Sequence, residues 1–94
     1  MVQTDVKSAH TNTSAALVTS RTRLKHITFN SNGTAGTLIL YDNASNASGT
    51  ILWQFDFGAN VISVPVLLPG EGILAVNGIY ATLTNANSCT ICYG

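Results

Sequence analysis

Residues 36–57 read GTLILYDNASNASGTILWQFDF, and the two alternating apolar runs in this segment constrain the fold more than any other part of the chain. In each run, apolar side chains recur at every second position, which is typical of a β-strand with one buried face. The residues between the runs, 42–49, are rich in Asn, Ser and Gly, which favour a turn. The segment therefore predicts a β-hairpin around which the rest of the chain is organised.

The second run of this hairpin places its largest side chains on one face. Ile51, Trp53, Phe55 and Phe57 follow one another at intervals of two residues, so a strand projects all four the same way. Aromatic side chains bury large areas, and this face is therefore expected to form a wall of the hydrophobic core. We predict that Trp53 and Phe55 lie in the core.

The rest of the chain has no helical period and reads as short strands separated by turns. Residues 61–68 are apolar on both faces apart from Ser63, which predicts a buried strand, although Pro65 favours an edge, a bulge or a strand end. The Asn77-Gly78 pair predicts a tight two-residue hairpin, because Asn-Gly fits the turn that such hairpins need. Further strands are predicted over residues 21–30, 73–76, 79–84 and 89–93, with turns at 31–36, 69–72 and 85–88 and short strands possible near 2–9 and 15–18.

This pattern predicts an all-β protein. We expect a single small β-sandwich, similar to a jelly roll, of about seven or eight short antiparallel strands. With 94 residues, the chain forms one domain. Residues 21–94 are assigned to the sandwich, and the polar residues 1–20 to an N-terminal arm or an edge strand. An edge strand pairs within the domain, whereas an arm pairs with a neighbouring subunit by strand addition.

Charged residues are scarce, and this limits the classes of partner. They make up 9% of the chain and the formal net charge is zero, against about 25% charged residues in ordinary soluble domains. A neutral domain lacks the basic surface that nucleic acid requires. Charge-poor surfaces resist association weakly, which favours a homo-oligomer or a subunit of an assembly. Because residues 1–10 lack an apolar signal region and the run 61–68 is too short to cross a bilayer, we expect neither secretion nor a membrane partner.

The one charge feature is a basic ridge formed by Arg21, Arg23 and Lys25, which are three of the four basic residues in the chain. A regular strand projects all three the same way. The same face continues with Ile27 and Phe29, so the strand either passes from solvent into the core or contains a β-bulge. Two interpretations of the ridge stay open: a solvated strand face, or a contact with an acidic protein surface. The ridge is the candidate protein interface.

No constellation of residues predicts chemistry. Cys89 and Cys92 form a C-x-x-C, but a zinc site needs two further ligands and the chain offers only the distant His10 and His26. Residues three apart in a strand face opposite ways, so we expect two free thiols. The acidic residues are scattered, and no nucleophile, phosphate or dinucleotide motif occurs. We therefore expect no catalytic residue, no metal, no cofactor and no enzymatic activity.

Five segments carry a resemblance to a known group of proteins: MVQTDVKSAH at the start, RTRLKHITF (21–29), TLILYDNAS-x-ASGT (37–50), LPGEGI (68–73) and YATLTNANSCTICYG (80–94). Together they resemble small structural proteins of tailed bacteriophages, especially marine and cyanobacterial ones. The two cysteines, Cys89 and Cys92, depart from that resemblance, since apolar or β-branched residues are expected at these positions.

The resemblance implies a virion protein present in many copies. The first expectation is a capsid decoration or cement protein, made in the host cytoplasm, that binds the major capsid protein on the capsid surface. A second is a component of the tail, neck or fibre base. A third, from another class, is a carbohydrate-binding β-sandwich in which Trp53, Tyr41 and Tyr80 stack on sugar, although Trp53 alternates with the core aromatics. Small β-domains suit the first function, because cementing a lattice needs a complementary surface and no cleft.

Overall fold

Two antiparallel β-sheets packed face to face form the fold, as a computed structural model describes it for residues 7–59, 63–68 and 70–94, without the side chains of residues 63 and 64. These residues contain nine strands and no helix, and so no helix that could span a membrane. The predicted all-β sandwich is confirmed. The strands are β1 (Lys7–Thr11), β2 (Ala15–Val18), β3 (Thr22–Ser31), β4 (Gly36–Tyr41), β5 (Ile51–Phe57), β6 (Ser63–Leu67), β7 (Ile73–Ala75), β8 (Ile79–Thr84) and β9 (Ala86–Tyr93).

The topology is that of a long antiparallel ribbon rolled into two layers. The predicted β4–β5 hairpin is the tip of the ribbon, and each earlier strand pairs with a later one: β3 with β6 and β7, β2 with β8, and β1 with β9. Rolling brings β3 beside β9 and β4 beside β8. The resulting orders, β1-β9-β3-β6 (with β7 also beside β3) and β2-β8-β4-β5, are those of a jelly roll.

The core lies between the four central strands β3, β4, β8 and β9, because only these have a neighbour on both sides. Phe29 anchors it, with its ring centroid 5.5 Å from that of Phe55 and 5.3 Å from that of Phe57. Tilted aromatic packing of this kind adds to the stability that burial provides. The other fully buried side chains are Leu24, Ile27, Leu38, Leu40, Ala75, Ile79, Ala81, Cys89 and Ile91.

A β-bulge interrupts β3 at Lys25. Leu24 lies opposite Tyr93, and the next paired residue, His26, lies opposite Cys92, so Lys25 is the additional residue. The bulge alternative of the sequence analysis is therefore correct, and it explains why Leu24 and Ile27 both enter the core although they are three positions apart. On the other side of β3, β6 and β7 pair with successive parts of the strand, and the Leu68 N–H donates to the Lys25 carbonyl at 3.2 Å between them.

The predicted hairpin at Asn77-Gly78 is wrong. β7 pairs with β3 in the first sheet, whereas β8 pairs with β2 and β4 in the second, so the turn crosses between the layers. Gly78 has φ of 146° and lies so close to the Val18 carbonyl that a Cβ atom would clash with it. The Asn77 N–H donates to the Asp42 carboxylate at 2.7 Å. The Asn77-Gly78 pair instead forms a tightly packed crossover between the sheets. Gly suits this crossover for the same reason that it suits a hairpin turn, because it adopts backbone angles that other residues rarely adopt.

Two predictions of deep burial are corrected by the positions of β5 and β6, which are edge strands. Trp53 and Phe55 project toward the core as expected but are only half-buried. The prediction that Ile51 shares their face is wrong, because a β-bulge at Leu52 places Ile51 opposite Tyr41 on the outer face, where it is 47% exposed. Burial of residues 61–68 on both faces is also wrong, because Leu67 is 80% exposed. The interpretation of Pro65 as an edge residue is confirmed; residues 61 and 62 lie outside the described residues.

The first two described strands lie at edges of the sandwich. β1 is an edge strand of the five-stranded sheet and β2 is an edge strand of the four-stranded sheet. Residues 1–6, which include part of the predicted arm, lie outside the described residues. The final turn is shorter than predicted: Asn85, at φ of 58°, makes the bend alone, and β9 begins at the next residue.

Candidate functional site

The basic ridge lies where β3 begins, at one end of the five-stranded sheet. Arg21 is exposed and immediately precedes the strand, and Arg23 is half-buried opposite Leu74 of β7. Lys25, at the bulge, is also half-buried. Because Leu24 and Ile27 are buried in the core, the alternation of the strand places Arg23 and Lys25 on the outer side. Arg23 and Lys25 therefore lie on the same side of the sheet, as they would in a regular strand, because the bulge changes the alternation only after Lys25.

Backbone hydrogen bonds hold the ridge in place from both neighbouring strands. The Arg23 N–H donates to the Gly94 carbonyl at 3.3 Å, and the Gly94 N–H donates to the Arg23 carbonyl at 3.1 Å. The Lys25 carbonyl accepts the bond from Leu68. The main chain that carries the cations is therefore already ordered in the free domain. Less conformational entropy is then lost when a partner contacts their side chains.

Lys7 lies at the same end of the sheet as the ridge, although nothing in its sequence position predicted this. It pairs with Tyr93 of β9, and Tyr93 pairs with Leu24 of β3, so Lys7 lies two strand spacings, about 10 Å, from Leu24. Because directly paired residues share a face, Lys7 starts on the core-facing side of the sheet, at its exposed edge, whereas Arg23 and Lys25 lie on the outer side. All four basic residues of the chain thus lie at one end of one sheet, which we call the basic end (Lys7, Arg21, Arg23 and Lys25). This grouping depends on the pairing of β1 with β9, which no local sequence pattern predicts.

The cations of the basic end are not used to hold the described part of the fold together. The side-chain hydrogen bonds among the described residues involve Asn, Ser, Thr, His, Gln and Asp side chains and none of the four cations. Of the acidic residues, Asp42 accepts the Asn77 N–H, whereas Glu71 is exposed in the loop opposite Lys25. The basic end is therefore available for contacts outside the domain.

The outer side of the five-stranded sheet next to the ridge is polar. His10 places Nδ1 2.6 Å from Thr90 Oγ1 and Nε2 2.9 Å from Asn12 Oδ1. His26 lies directly across from Cys92 on the neighbouring strand. Within the ranges that the structure describes, no three His, Cys, Asp or Glu side chains come together as a metal site would require.

The two cysteines lie in β9 and are free, as the spacing predicted. Cys89 lies in the core with no exposed surface, and Cys92 is half-buried on the outer side. Burial raises the pKa of the Cys89 thiol from its ordinary value of 9.0 to about 12. A thiol with so high a pKa stays protonated at neutral pH and does not act as a nucleophile or metal ligand.

The outer face of the four-stranded sheet carries the aromatic residues that the carbohydrate hypothesis requires, but only two of the three. Tyr41 and Tyr80 lie directly opposite each other on β4 and β8, beside the neighbouring pair Ile39 and Thr82. Trp53 pairs with Leu40 and therefore projects to the core side. A platform of all three aromatic residues is excluded, because a sheet separates Trp53 from the tyrosines.

Comparison with known proteins identified no relative of this chain. The chain matches no protein-family model, no curated protein and no solved structure at a significant level. The basic end and the two sheet surfaces are therefore the features from which a function is inferred.

Proposed function

We propose that this protein is a non-enzymatic structural protein of a tailed-bacteriophage virion, which decorates the capsid by binding the lattice of the major capsid protein. The observation that carries the proposal is the basic end, where all four cations of a charge-poor chain lie at one end of one sheet, with Arg23 and Lys25 together on its outer side. The phage resemblance of the sequence supports the choice of a virion. The compact jelly roll supports a protein that acts through its surface.

The physical argument concerns what the basic end can contribute to the isolated domain. Arg21, Arg23 and Lys25 repel one another weakly in water, and no described carboxylate is hydrogen-bonded to them. Folding alone therefore gains little from bringing them together. An acidic partner surface would be attracted to them, and complementary charge raises the rate and the specificity of association.

The N-terminal region provides a second means of attachment. β1 and β2 form the edges of the two sheets, so each has one side without a strand among the described residues. Unpaired edges accept a strand from another protein through main-chain hydrogen bonds. A decoration protein can therefore combine charge at the basic end with strand pairing nearby.

The experiment is binding to particles across a salt series. Arg21→Ala combined with Arg23→Ala removes half of the cations of the basic end, and we expect this double variant to fold normally but to leave the particles at lower salt than the unmodified protein. Screening shortens to about 8 Å at physiological ionic strength and about 3 Å at 1 M, so attachment through charge weakens as salt rises. Bound protein is quantified after sedimentation of the particles.

Thr84→Ala combined with Asn87→Ala is the matched control, because both residues are exposed, uncharged and at the far end of the sandwich. It should bind as the unmodified protein does. Equal retention of all three proteins at every salt concentration would mean that the basic end is only a solvated surface. Attachment would then lie in the N-terminal region or an apolar patch.

A position in the tail, neck or fibre base uses the same contacts and is the alternative within this class. The two positions differ in stoichiometry, since a capsid lattice binds many copies and a tail ring about a dozen or fewer. Copy number in purified particles therefore separates them.

A carbohydrate-binding function is the second candidate, and the Tyr41–Tyr80 pair favours it. Two adjacent aromatic rings on the outer face of a sheet form a surface on which a sugar can stack. A glycan array with the unmodified protein and with Tyr41→Ala combined with Tyr80→Ala tests it. Binding that the double variant loses would support this function, and an array without signals would exclude it.

A further inference from the structure

Two asparagines of the chain are followed directly by glycine, Asn32 by Gly33 and Asn77 by Gly78. In such a pair the main-chain nitrogen of the glycine can attack the side-chain amide carbon of the asparagine, because the ring that closes has five members and glycine has no Cβ atom to obstruct it. Asparagine is accordingly a thermolabile residue. Since the two dipeptides are identical, the fold decides which of them reacts.

The turn between β3 and β4 holds the side chain of Asn32 close to the geometry that this reaction requires. The Thr34 N–H donates to Asn32 Oδ1 at 2.9 Å, which folds the side chain back along its own main chain and brings the amide carbon toward the Gly33 nitrogen. Negative charge develops on Oδ1 when the carbon is attacked. The Thr34 N–H already points at this atom, so it stabilises that charge as the donor of an oxyanion hole does.

The attacking nitrogen of Gly33 is both oriented and accessible to water. Its N–H donates to Ser31 Oγ at 3.0 Å, and this hydroxyl in turn donates to the Thr34 carbonyl at 3.5 Å. Asn32 and Gly33 are exposed, and no atom lies within 4 Å of the position that a Cβ atom on Gly33 would occupy. Water can therefore take up the proton that the nitrogen loses, and the main chain has room to rotate as the ring closes.

The second pair, Asn77-Gly78, lies in the opposite environment. Gly78 is buried and packed against the Val18 carbonyl, so the main chain of the crossover cannot rotate freely. The Asn77 N–H is bound to the Asp42 carboxylate at 2.7 Å, and a negative charge nearby disfavours the loss of a proton from the Gly78 nitrogen. This pair therefore reacts only when the crossover opens.

We propose that Asn32 is a modification site, at which the folded protein converts spontaneously to aspartate and isoaspartate, and that the fold protects Asn77. The Gly33 nitrogen gives its proton to water or hydroxide and forms a bond to Asn32 Cγ. The Cγ–Nδ2 bond breaks, and the amide nitrogen takes a proton from water and leaves as ammonia. Water then opens the resulting succinimide at either of its two carbonyl–nitrogen bonds. The product carries a carboxylate in place of the amide, so the neutral chain gains one negative charge.

The new carboxylate lies away from the basic end, because Asn32 follows β3 whereas Arg21 precedes it. The reaction therefore leaves the charge of the basic end unchanged. This inference does not depend on the virion proposal, since it concerns the purified protein alone, and either can fail without the other.

The test compares the folded protein with the chain unfolded in guanidinium chloride, both incubated at mildly alkaline pH and body temperature. Peptide mass spectrometry measures the conversion at each asparagine. In the unfolded chain, Asn32 and Asn77 should convert at similar rates, because their neighbours in the ring are the same. In the folded protein, Asn32 should convert at about the unfolded rate or faster, and Asn77 at least about tenfold more slowly. Folded Asn77 converting as fast as Asn32, or folding that slows Asn32 as much as Asn77, would overturn the proposal.

Asn32→Gln is the matched variant, because glutamine keeps the amide at this exposed position but must close a six-membered ring. On isoelectric focusing of incubated folded protein, the unmodified chain should develop a more acidic band, and Asn32→Gln should not. An acidic band of equal intensity in both proteins would place the reaction at another residue and contradict the proposal.

Discussion

Cys89 and Cys92 show how a single position in a strand decides the chemistry of a residue. The two thiols are three residues apart in β9 and project from opposite faces of the sheet. Cys89 is fully buried among apolar side chains, whereas Cys92 is half-buried opposite His26. The alternation of the strand predicted that the two thiols are free, and their different burial follows from which face of β9 packs on the core.

Burial of Cys89 makes stability depend on alkaline pH. The pKa of its thiol is raised from 9.0 to about 12 in the folded protein. Below pH 9 the thiol is neutral in both states and its contribution is complete. Between pH 9 and 12 the unfolded chain loses this proton and the folded chain keeps it, so the free energy of unfolding falls by about 1.4 kcal/mol per pH unit from this group.

Urea unfolding at several pH values above 9 measures this slope, with Cys89→Ala as the variant that lacks the thiol. All other ionisable groups are the same in both proteins, so the difference between the two slopes isolates Cys89. The variant should lose stability less steeply. Parallel curves would show that the thiol ionises equally in the folded and unfolded chains.

Gly78 is the residue on which the crossover between the sheets depends. We expect Gly78→Ala to lower the free energy of unfolding by about 2–4 kcal/mol, because an L-residue is strained at this φ and the added methyl group meets the Val18 carbonyl. Gly58→Ala is the control, since nothing lies within 4 Å of its added Cβ. It should change stability by less than about 1 kcal/mol. Similar losses in both variants would contradict the crossover geometry.

At the scale of elements, the sequence predicted strands better than it predicted their partners. The alternation in residues 36–57 was sufficient for the β4–β5 hairpin, because both strands and their turn are local. The Asn-Gly turn was misassigned because β7 pairs with β3 before the bulge, with Thr22 opposite Ala75. That pairing joins residues more than fifty positions apart, and no local pattern specifies it.

Position in the sheet also determines how much each aromatic residue contributes. Phe29 lies in the central strand β3 with 1% exposure, and Phe55 lies in the edge strand β5 and is half-buried. Phe29→Ala should cost about 3–5 kcal/mol. We expect Phe55→Ala to cost about half as much, because less of its side chain leaves water on folding.

The same substitution at both positions makes the comparison direct, and denaturant unfolding measures it. Equal costs would mean that β5 is covered as completely as a central strand.

At the scale of the whole molecule, the rolled ribbon determines which residues meet on the surface. Pairing of β1 with β9 and of β9 with β3 brings Lys7 to the end of the sheet that carries the basic ridge, which the sequence identified at Arg21, Arg23 and Lys25. The sequence thus predicted three of the four cations at this end of the sheet, and the fourth required the topology.

The central claim is that this protein covers a capsid lattice, and its copy number in purified particles tests this most directly. Quantitative mass spectrometry against the major capsid protein, on purified particles of a phage whose genome carries this sequence, gives this number. The account predicts a copy number comparable to that of the major capsid protein, with density on the outer capsid surface in a particle reconstruction. About a dozen copies or fewer, located at the tail or neck, or the absence of the protein from particles would contradict it.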